Sequence, residues 1–261
     1  MAMSRFSLTI LTILSSLIVC GSLSHAGPVT GYDVSGDEET SPGLEHDDFD
    51  FEDEFEDDFG FGVPDPLRGY NRFVSGFNDS LYYWVMKPVA GGYCRIVPEP
   101  ARLAMGRCFR NILFPVRLVN NLLQLKLKRA GTECMRFGVN TTIGILGFRD
   151  PGKTWLRLDP YPEDFGQTLG HYGLGSGFHL VLPVLGPSNL RDTLGMVPDF
   201  FLNPTHYMDA GKYEIAVEGY KRVNYVSLHI GEYESLQNDA VDFYILLRDA
   251  YENKRRAEIK E

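Results

Sequence analysis

Cysteine and tryptophan are scarce in this chain, 4 and 2 among 261 residues, and no two cysteines form a CxxC pair. No HExxH or comparable histidine spacing occurs either, so a zinc site or a dithiol redox centre has no basis in the sequence, and no metal or cofactor is expected. His171, His179, His206 and His229 are read as structural histidines with satisfied hydrogen bonds. Cys94, Cys108 and Cys134 are an odd set, open to one disulfide with a free thiol or to three reduced thiols. The nucleophile elbow GxSxG is missing as well, because Leu174 and Phe178 flank Ser176 where glycines would stand. A hydrolase reading could draw only on Ser176, His171 and Asp164, a trio that any chain of this length offers. Gly170, Gly173, Gly175 and Gly177 are followed by Phe178-His179-Leu180-Val181, not by a Lys-Ser/Thr pair opening a helix, which argues against a nucleotide loop.

Long apolar runs are also lacking. Residues 6–19 (FSLTILTILSSLIV), preceded by Arg5, have the length and flanks of a secretory signal and are too short to span a bilayer. Later in the chain the best candidate, residues 178–185, is interrupted by Pro183, so no transmembrane helix is expected in the mature protein. Two parses of the signal stay open. Ser24-His25-Ala26 fits cleavage after Ala26; Leu17-Ile18-Val19-Cys20-Gly21 resembles a lipobox with Cys20 as the lipidated residue, although Val19 stands where a small residue belongs.

Lys and Arg are absent from residues 27–64, which carry 14 Asp and Glu. Taking that −14 and the +1 of Arg5 out of the net −10 leaves +3 for residues 65–261. The acidity thus belongs to a segment read as a disordered, solvated linker, whose Phe49, Phe51, Phe55, Phe59 and Phe61 offer a docking alternative. An exported, mildly basic domain gives no support for nucleic-acid binding. The expected organisation is a signal over 1–26 (or 1–19), the linker over 27–64, a domain over 65–256 and a tail over 257–261.

From Asp65 the periodicity is mostly helical. Residues 65–86 read as an aromatic-rich helix stopped near Pro88. In residues 99–127, Ala101, Ala104, Met105, Cys108, Phe109, Ile112, Val116, Val119 and Leu123 share one stripe, with Arg102, Arg107, Arg110, Arg117 and Asn121 opposite and a break at Pro115. Periodicity alone favours a surface helix packed on a core over a helix lying in a membrane interface. Tyr213 to Val223 and Leu236 to Tyr251 give two further helices, the second closing on Lys254-Arg255-Arg256, where cations suit the helix dipole. The glycines and prolines of residues 160–204 predict an ordered, irregular loop without a long helix.

Three segments in order, DPLRGYNRFVSGFNDSLYYWVMKPVA (65–90), EDFGQTLGHYGLGSGFHLVLPVLGPSNLRD (163–192) and DFYILLRDAYENKRR (242–256), resemble the MlaA (VacJ) family of bacterial outer-membrane lipoproteins. The resemblance implies a mostly α-helical ring of amphipathic helices in the membrane interface, with a Gly-rich hairpin. It implies no catalysis. The implied role is passage of phospholipid from the outer leaflet of the outer membrane to a soluble periplasmic carrier, beside a trimeric porin. It turns residues 99–127 towards the interface reading. It also nominates Gly170, His171, Tyr172, Gly173, Gly175, Gly177, Pro183 and Gly186 for a channel or gating loop, with Asn71, Arg72, Phe77, Asn78, Arg191 and Asp192 as motif positions. Phe77 and Asn78 are expected to hold the loop, and Arg191 and Asp192 to pair. The rivals are an envelope scaffold that binds a porin through the acidic arm, and a lipid hydrolase.

Overall fold

Helix α1 (Arg68–Leu81) passes without interruption through a π-helical turn (Tyr82–Met86) into α2 (Lys87–Ile96). The computed structural model describes residues 63–207 and 214–261; the export signal, Cys20, the acidic segment as far as Gly62, and Tyr213 lie outside the described residues. The stop expected at Pro88 does not occur. The Lys87 N–H reaches back five residues to the Tyr82 carbonyl, and this wider turn sets Pro88 in the first turn of α2, where a missing N–H and the ring are tolerated.

The break near Pro115 is present: α3 (Glu99–Ile112) ends at Leu113 and α4 (Phe114–Leu123) starts with Pro115 in its first turn. Next come α5 (Leu127–Thr142), packed on α4, and the short α6 (Pro151–Thr154), whose Lys153 N–H is capped by Asp150. The Gly- and Pro-rich stretch is more regular than its composition predicts. Asp164 caps α7 (Phe165–His171), strands β1 (His179–Leu182) and β2 (Gly186–Asn189) pair antiparallel with Leu182 opposite Gly186, and Asn189 caps α8 (Leu190–Leu202). Helix α8 keeps Pro198 inside it. The predicted absence of a long helix fails there because two side-chain caps and the α7–α8 contact outweigh one lost backbone bond.

A 3₁₀ turn (Pro204–Tyr207) precedes α9 (Glu214–Leu228), which packs on α2 and α3. The last expected helix is two helices. Ala240 is extended, so α10 (Glu232–Asp239) stops and Asp242 caps a new helix, α11 (Phe243–Lys260). Helix α11 continues past the basic triplet and takes in most of the residues expected as a tail, and Arg255 is buried among carboxylates instead of serving the helix end. No helix among the described residues is long and apolar enough to cross a membrane.

Polarity is inverted. The fully buried residues are chiefly Asn, Gln, Glu, Arg and Ser, with Asn71, Asn120, Asn121, Glu133 and Asn189 at 0% exposure, whereas Val74, Val181 and Tyr244 form a small apolar cluster. On the outside Trp84 and Ile96 are more than 80% exposed, joined by Phe73, Leu125, Trp155 and Ile215. The periodicity of 99–127 is real, but at the end of α4 Asn120 and Asn121 are buried while Leu122 and Leu123 are exposed, so that turn carries its polar side inward, although Val116 of the apolar stripe stays buried. Asn120 and Asn121 each donate to the carbonyl four residues earlier, at 3.0 and 2.8 Å, and Glu133 takes Arg117 at 2.7 Å and the Tyr161 N–H at 2.7 Å. A hydrogen-bonded interior within an apolar exterior is stable where the surroundings are themselves apolar.

Candidate functional site

Two asparagines seven residues apart on α1 hold the hairpin in place of a third strand. Asn71 is fully buried: its amide donates to Asp65 Oδ1 at 2.7 Å and the His179 carbonyl at 3.1 Å, and its oxygen accepts from the Val181 N–H at 2.8 Å. Asn78, two turns on, repeats the pattern at the tip, donating to the Leu182 carbonyl at 3.1 Å and accepting from the Val184 N–H at 2.8 Å. A seven-residue spacing returns to the same helix face, which is how one helix clamps one strand twice. Phe77 does not share this contact and is 44% exposed. Arg72 bonds Asp242 at 2.6 Å and lies over the Tyr244 ring, joining α1 to the start of α11.

The hairpin tip forms part of the wall of a cavity of about 850 Å³. Val181, Val184, Gly186 and Pro187 face it from the hairpin, Ser75 and Asn78 from α1, Leu103, Phe109 and Arg110 from α3, and Lys221, Arg222 and Tyr225 from α9, with His229 just past its end. A second cavity of about 630 Å³ is lined by Arg107, Arg110, Asn111, Arg136, Lys153 and Arg255 with Asp150, Glu163 and Asp164. Both cavities share Arg110 and Leu113, so α3 and its junction with α4 stand between them. Several second-cavity cations are paired, Arg136 with Asp150 at 2.9 Å and Arg255 with Asp164 at 2.7 Å. Arg107, Arg110 and Lys153 make no ion pair with a carboxylate among the described residues. Sequence reading placed Arg107 and Arg110 on one helix side without assigning them a cavity, and it missed Lys221 and Arg222. Their signal was a dibasic pair beside the aromatic stripe of α9.

The predicted loop residues separate into distinct jobs. Gly170 and Gly166 allow close approach: a Cβ on Gly166 would lie 2.4 Å from Asp192 Oδ1, and one on Gly170 2.5 Å from Ile259 Cδ1. Gly173, at φ +87°, ends α7: its N–H reaches the Gly170 carbonyl at 2.9 Å and the next N–H, of Leu174, reaches Leu169 at 3.0 Å, the paired bonds of a Schellman cap. Gly177 and Gly186 also occupy the left-handed region. Gly175 has neither a positive φ nor a neighbour within 4 Å of a built Cβ. Tyr172 donates to the Leu123 carbonyl and sits edge-on to His171, and Pro183 opens the hairpin turn.

Arg191 and Asp192 pair, as expected, with Arg191 Nε 2.9 Å from Asp192 Oδ1, deep in a network that also takes in Tyr251 and Arg255. Burial alone would push the Asp192 carboxyl up, but the Arg255 guanidinium and the Tyr251 hydroxyl outweigh it and hold it below the ordinary aspartate range. Asp199, 2.9 Å from Asn120 and 3.0 Å from the Phe165 N–H, lacks a guanidinium partner, and burial raises its pKa.

The hydrolase trio is not assembled. Asp164 caps the N-terminus of α7 and spends both oxygens on Arg255, while His171 ends the same helix, about 10 Å further along its axis. The expectation of satisfied histidines fails at His179: it is 1% exposed, neither ring nitrogen has a hydrogen bond, and Nδ1 is 3.6 Å from Glu252 Oε1. The Tyr244 and Tyr251 rings occupy the space around it. Cys94, Cys108 and Cys134 are free thiols, and among the described residues no group of three or more potential ligands gathers as a cation site.

The chain is similar to known proteins. Residues 63–258 match the family model described as MlaA lipoprotein. The chain is 34% identical over 197 residues to the intermembrane phospholipid transport system lipoprotein MlaA of Escherichia coli (strain K12), covering 73% of this chain and 76% of that protein. It is 33% identical over 202 residues to an uncharacterized protein of Rickettsia felis, covering 76% and 79%. A structure solved in work on the structural basis for maintenance of bacterial outer membrane lipid asymmetry superposes with a TM-score of 0.63 at 30% identity, covering 75% of this chain and 98% of that one. This chain belongs to the MlaA lipoprotein family.

Proposed function

We propose that this chain is a non-enzymatic conduit that takes mislocalised phospholipid from the outer leaflet of the outer membrane and passes it to a soluble periplasmic carrier. The observation that carries this reading is the inverted polarity around two cavities that share Arg110 and Leu113. A phospholipid needs a polar route for its headgroup while its acyl chains stay in apolar surroundings, and cations facing an apolar-walled space meet both needs. In this reading the chain lies in the inner leaflet of the outer membrane at its periplasmic face, its apolar exterior against lipid, beside a trimeric porin, with lipidation of Cys20 as a further tether. In this reading the hairpin around Pro183 and Gly186 is the gate of the first cavity, with Asn78 its latch on α1.

The test uses the full chain, purified from membranes and reconstituted in vesicles carrying a labelled phospholipid, with a soluble lipid-binding acceptor. Transfer of intact lipid is expected. Absence of transfer, or released fatty acid that Ser176→Ala abolishes, would overturn the conduit reading.

A further inference from the structure

The hairpin tip is held by a guanidinium that pairs with no carboxylate among the described residues. Arg222 of α9 faces the larger cavity and donates from Nη1 to the Val184 carbonyl at 2.7 Å. Arginine carries five N–H donors, and this is the one side-chain hydrogen bond Arg222 makes among the described residues. Glu218, one turn earlier, is committed to Lys221 at 2.8 and 3.0 Å. Burial lowers the Arg222 pKa, with Glu218 opposing, so the charge is held where it is poorly solvated.

Val184 is the other half of the contact. It is β-branched and sits at φ +67°, a conformation such residues rarely adopt. Both of its backbone polar groups are held from outside the hairpin, the N–H by Asn78 and the carbonyl by Arg222. A conformation maintained by two external bonds relaxes when one of them is taken away.

We propose that Arg222 is an anion-responsive latch: a phosphodiester entering the larger cavity captures the guanidinium, withdraws it from the Val184 carbonyl and frees the hairpin tip. This rests on the conduit reading and adds a trigger to it. A guanidinium bond to a neutral carbonyl is weaker than one to phosphate, where both partners are charged and the pairing is often bidentate. The exchange therefore runs towards the phosphate whenever one arrives, and the substrate opens its own gate. A phospholipid headgroup and free phosphate offer the same chemistry; the cavity's apolar walls, among them Leu103, Leu113 and Val184, favour the headgroup with its attached chains.

Amide hydrogen exchange of the full chain in detergent reads the latch directly. Three probes are added below their micellar concentrations or as the salt: dihexanoyl phosphatidylglycerol, dihexanoyl glycerol without phosphate, and inorganic phosphate. The phospholipid is expected to speed exchange at Val184 and Leu185 roughly tenfold, while dihexanoyl glycerol leaves it unchanged. Arg222→Gln is expected to exchange fast without lipid and to respond no further. Should that variant not fold, Arg222→Lys keeps the charge but not the planar fork, and is expected to need more lipid for the same response. A tip that ignores the phospholipid, an Arg222 variant that responds as the wild type does, or a response to inorganic phosphate without one to lipid would overturn the proposal. Vesicle-to-acceptor transfer is measured in parallel. Transfer without any hairpin response sinks the latch and spares the conduit, whereas a hairpin response without transfer supports the latch and sinks the conduit.

Discussion

The base and the tip of one glycine-rich segment are built on opposite principles. Where α7, α8 and α11 meet, Asp192 accepts from Arg191, Arg255, Tyr251 and Asn189 within 2.8–3.0 Å, and Gly166 and Gly195 bring two backbones so close that a Cβ on Gly195 would stand 2.5 Å from the Gly166 nitrogen. At the tip, by contrast, Val184 is half exposed and held by one side-chain bond on each of its polar groups. The first arrangement resists movement because each buried charge in it is held by several bonds at once. The second can be released a bond at a time. A gate needs both, a fixed frame and a part that lets go.

The sharpest way to break this contrast is to remove the centre of the frame. Asp192→Asn strands the buried Arg191 guanidinium, takes from Arg255 one of its carboxylates while Asp164 and Glu258 remain, and is expected to cost about 3–5 kcal/mol, read as a collapse of the thermal midpoint in detergent. Acid should reproduce part of it. The Asp192 carboxyl titrates below its unfolded range, so its contribution is complete above the unfolded value and disappears as pH falls through the lowered folded one. The wild type is therefore expected to lose stability below about pH 4, with Asp192→Asn losing less over the same interval. An equal pH slope in the two proteins would show that Asp192 is not the group responsible.

Gly195→Ala comes next. Its Cβ would meet backbone, which cannot swing aside, and we expect a loss of about 3 kcal/mol without any change in charge. A variant as stable as the wild type would show that α7 and α8 can separate, and the frame would no longer be rigid.

Much of this was legible in the sequence, and the failures share a cause. The amphipathic stripe of α3 and α4, their break at Pro115 and the Arg191–Asp192 pairing were all readable from local chemistry. What periodicity could not give was the sign of the environment. A stripe states that two faces differ, not which one is inside, and here Asn120, Asn121 and Glu133 are the core while Trp84 and Ile96 face outward. The mid-helix Asn120-Asn121 pair, a poor choice for a solvated helix, was the overlooked sign of it. Composition misleads differently in residues 160–204, where the glycines predict irregularity although Gly166 and Gly195 serve helix contact and Gly173 a helix cap. Glycine counts cannot distinguish room for a neighbour from freedom to move.

The two clamps on α1 offer a subtler comparison. Asn71→Ala would leave the buried Val181 N–H without its partner, at about 1–3 kcal/mol, whereas Asn78→Ala exposes the Val184 N–H to a half-open tip and should cost about 1 kcal/mol or less. The functional order is expected to reverse. Asn78→Ala should speed hydrogen exchange at the tip with the global midpoint nearly unchanged, and Asn71→Ala should lower the midpoint. If both variants lower the midpoint equally, base and tip unfold as one unit and the hairpin does not act as a separate gate.

The smallest expected effect concerns Gly175, the one glycine between Gly170 and Gly177 with no structural reason to be glycine. With open space around it and no left-handed backbone, Gly175→Ala should leave stability unchanged or raise it by about 0.5 kcal/mol through the unfolded chain. Gly173→Ala, forced into φ +87°, should lose about 1 kcal/mol. That separation makes Gly175 informative about movement. Stiffening it while the fold stands intact tests whether residues 174–176 flex as lipid passes. Slower transfer at full stability would extend the gate from the hairpin tip back towards α7. Unchanged transfer would confine it to the residues that Asn78 and Arg222 hold, and would make the glycine-rich run part of the frame.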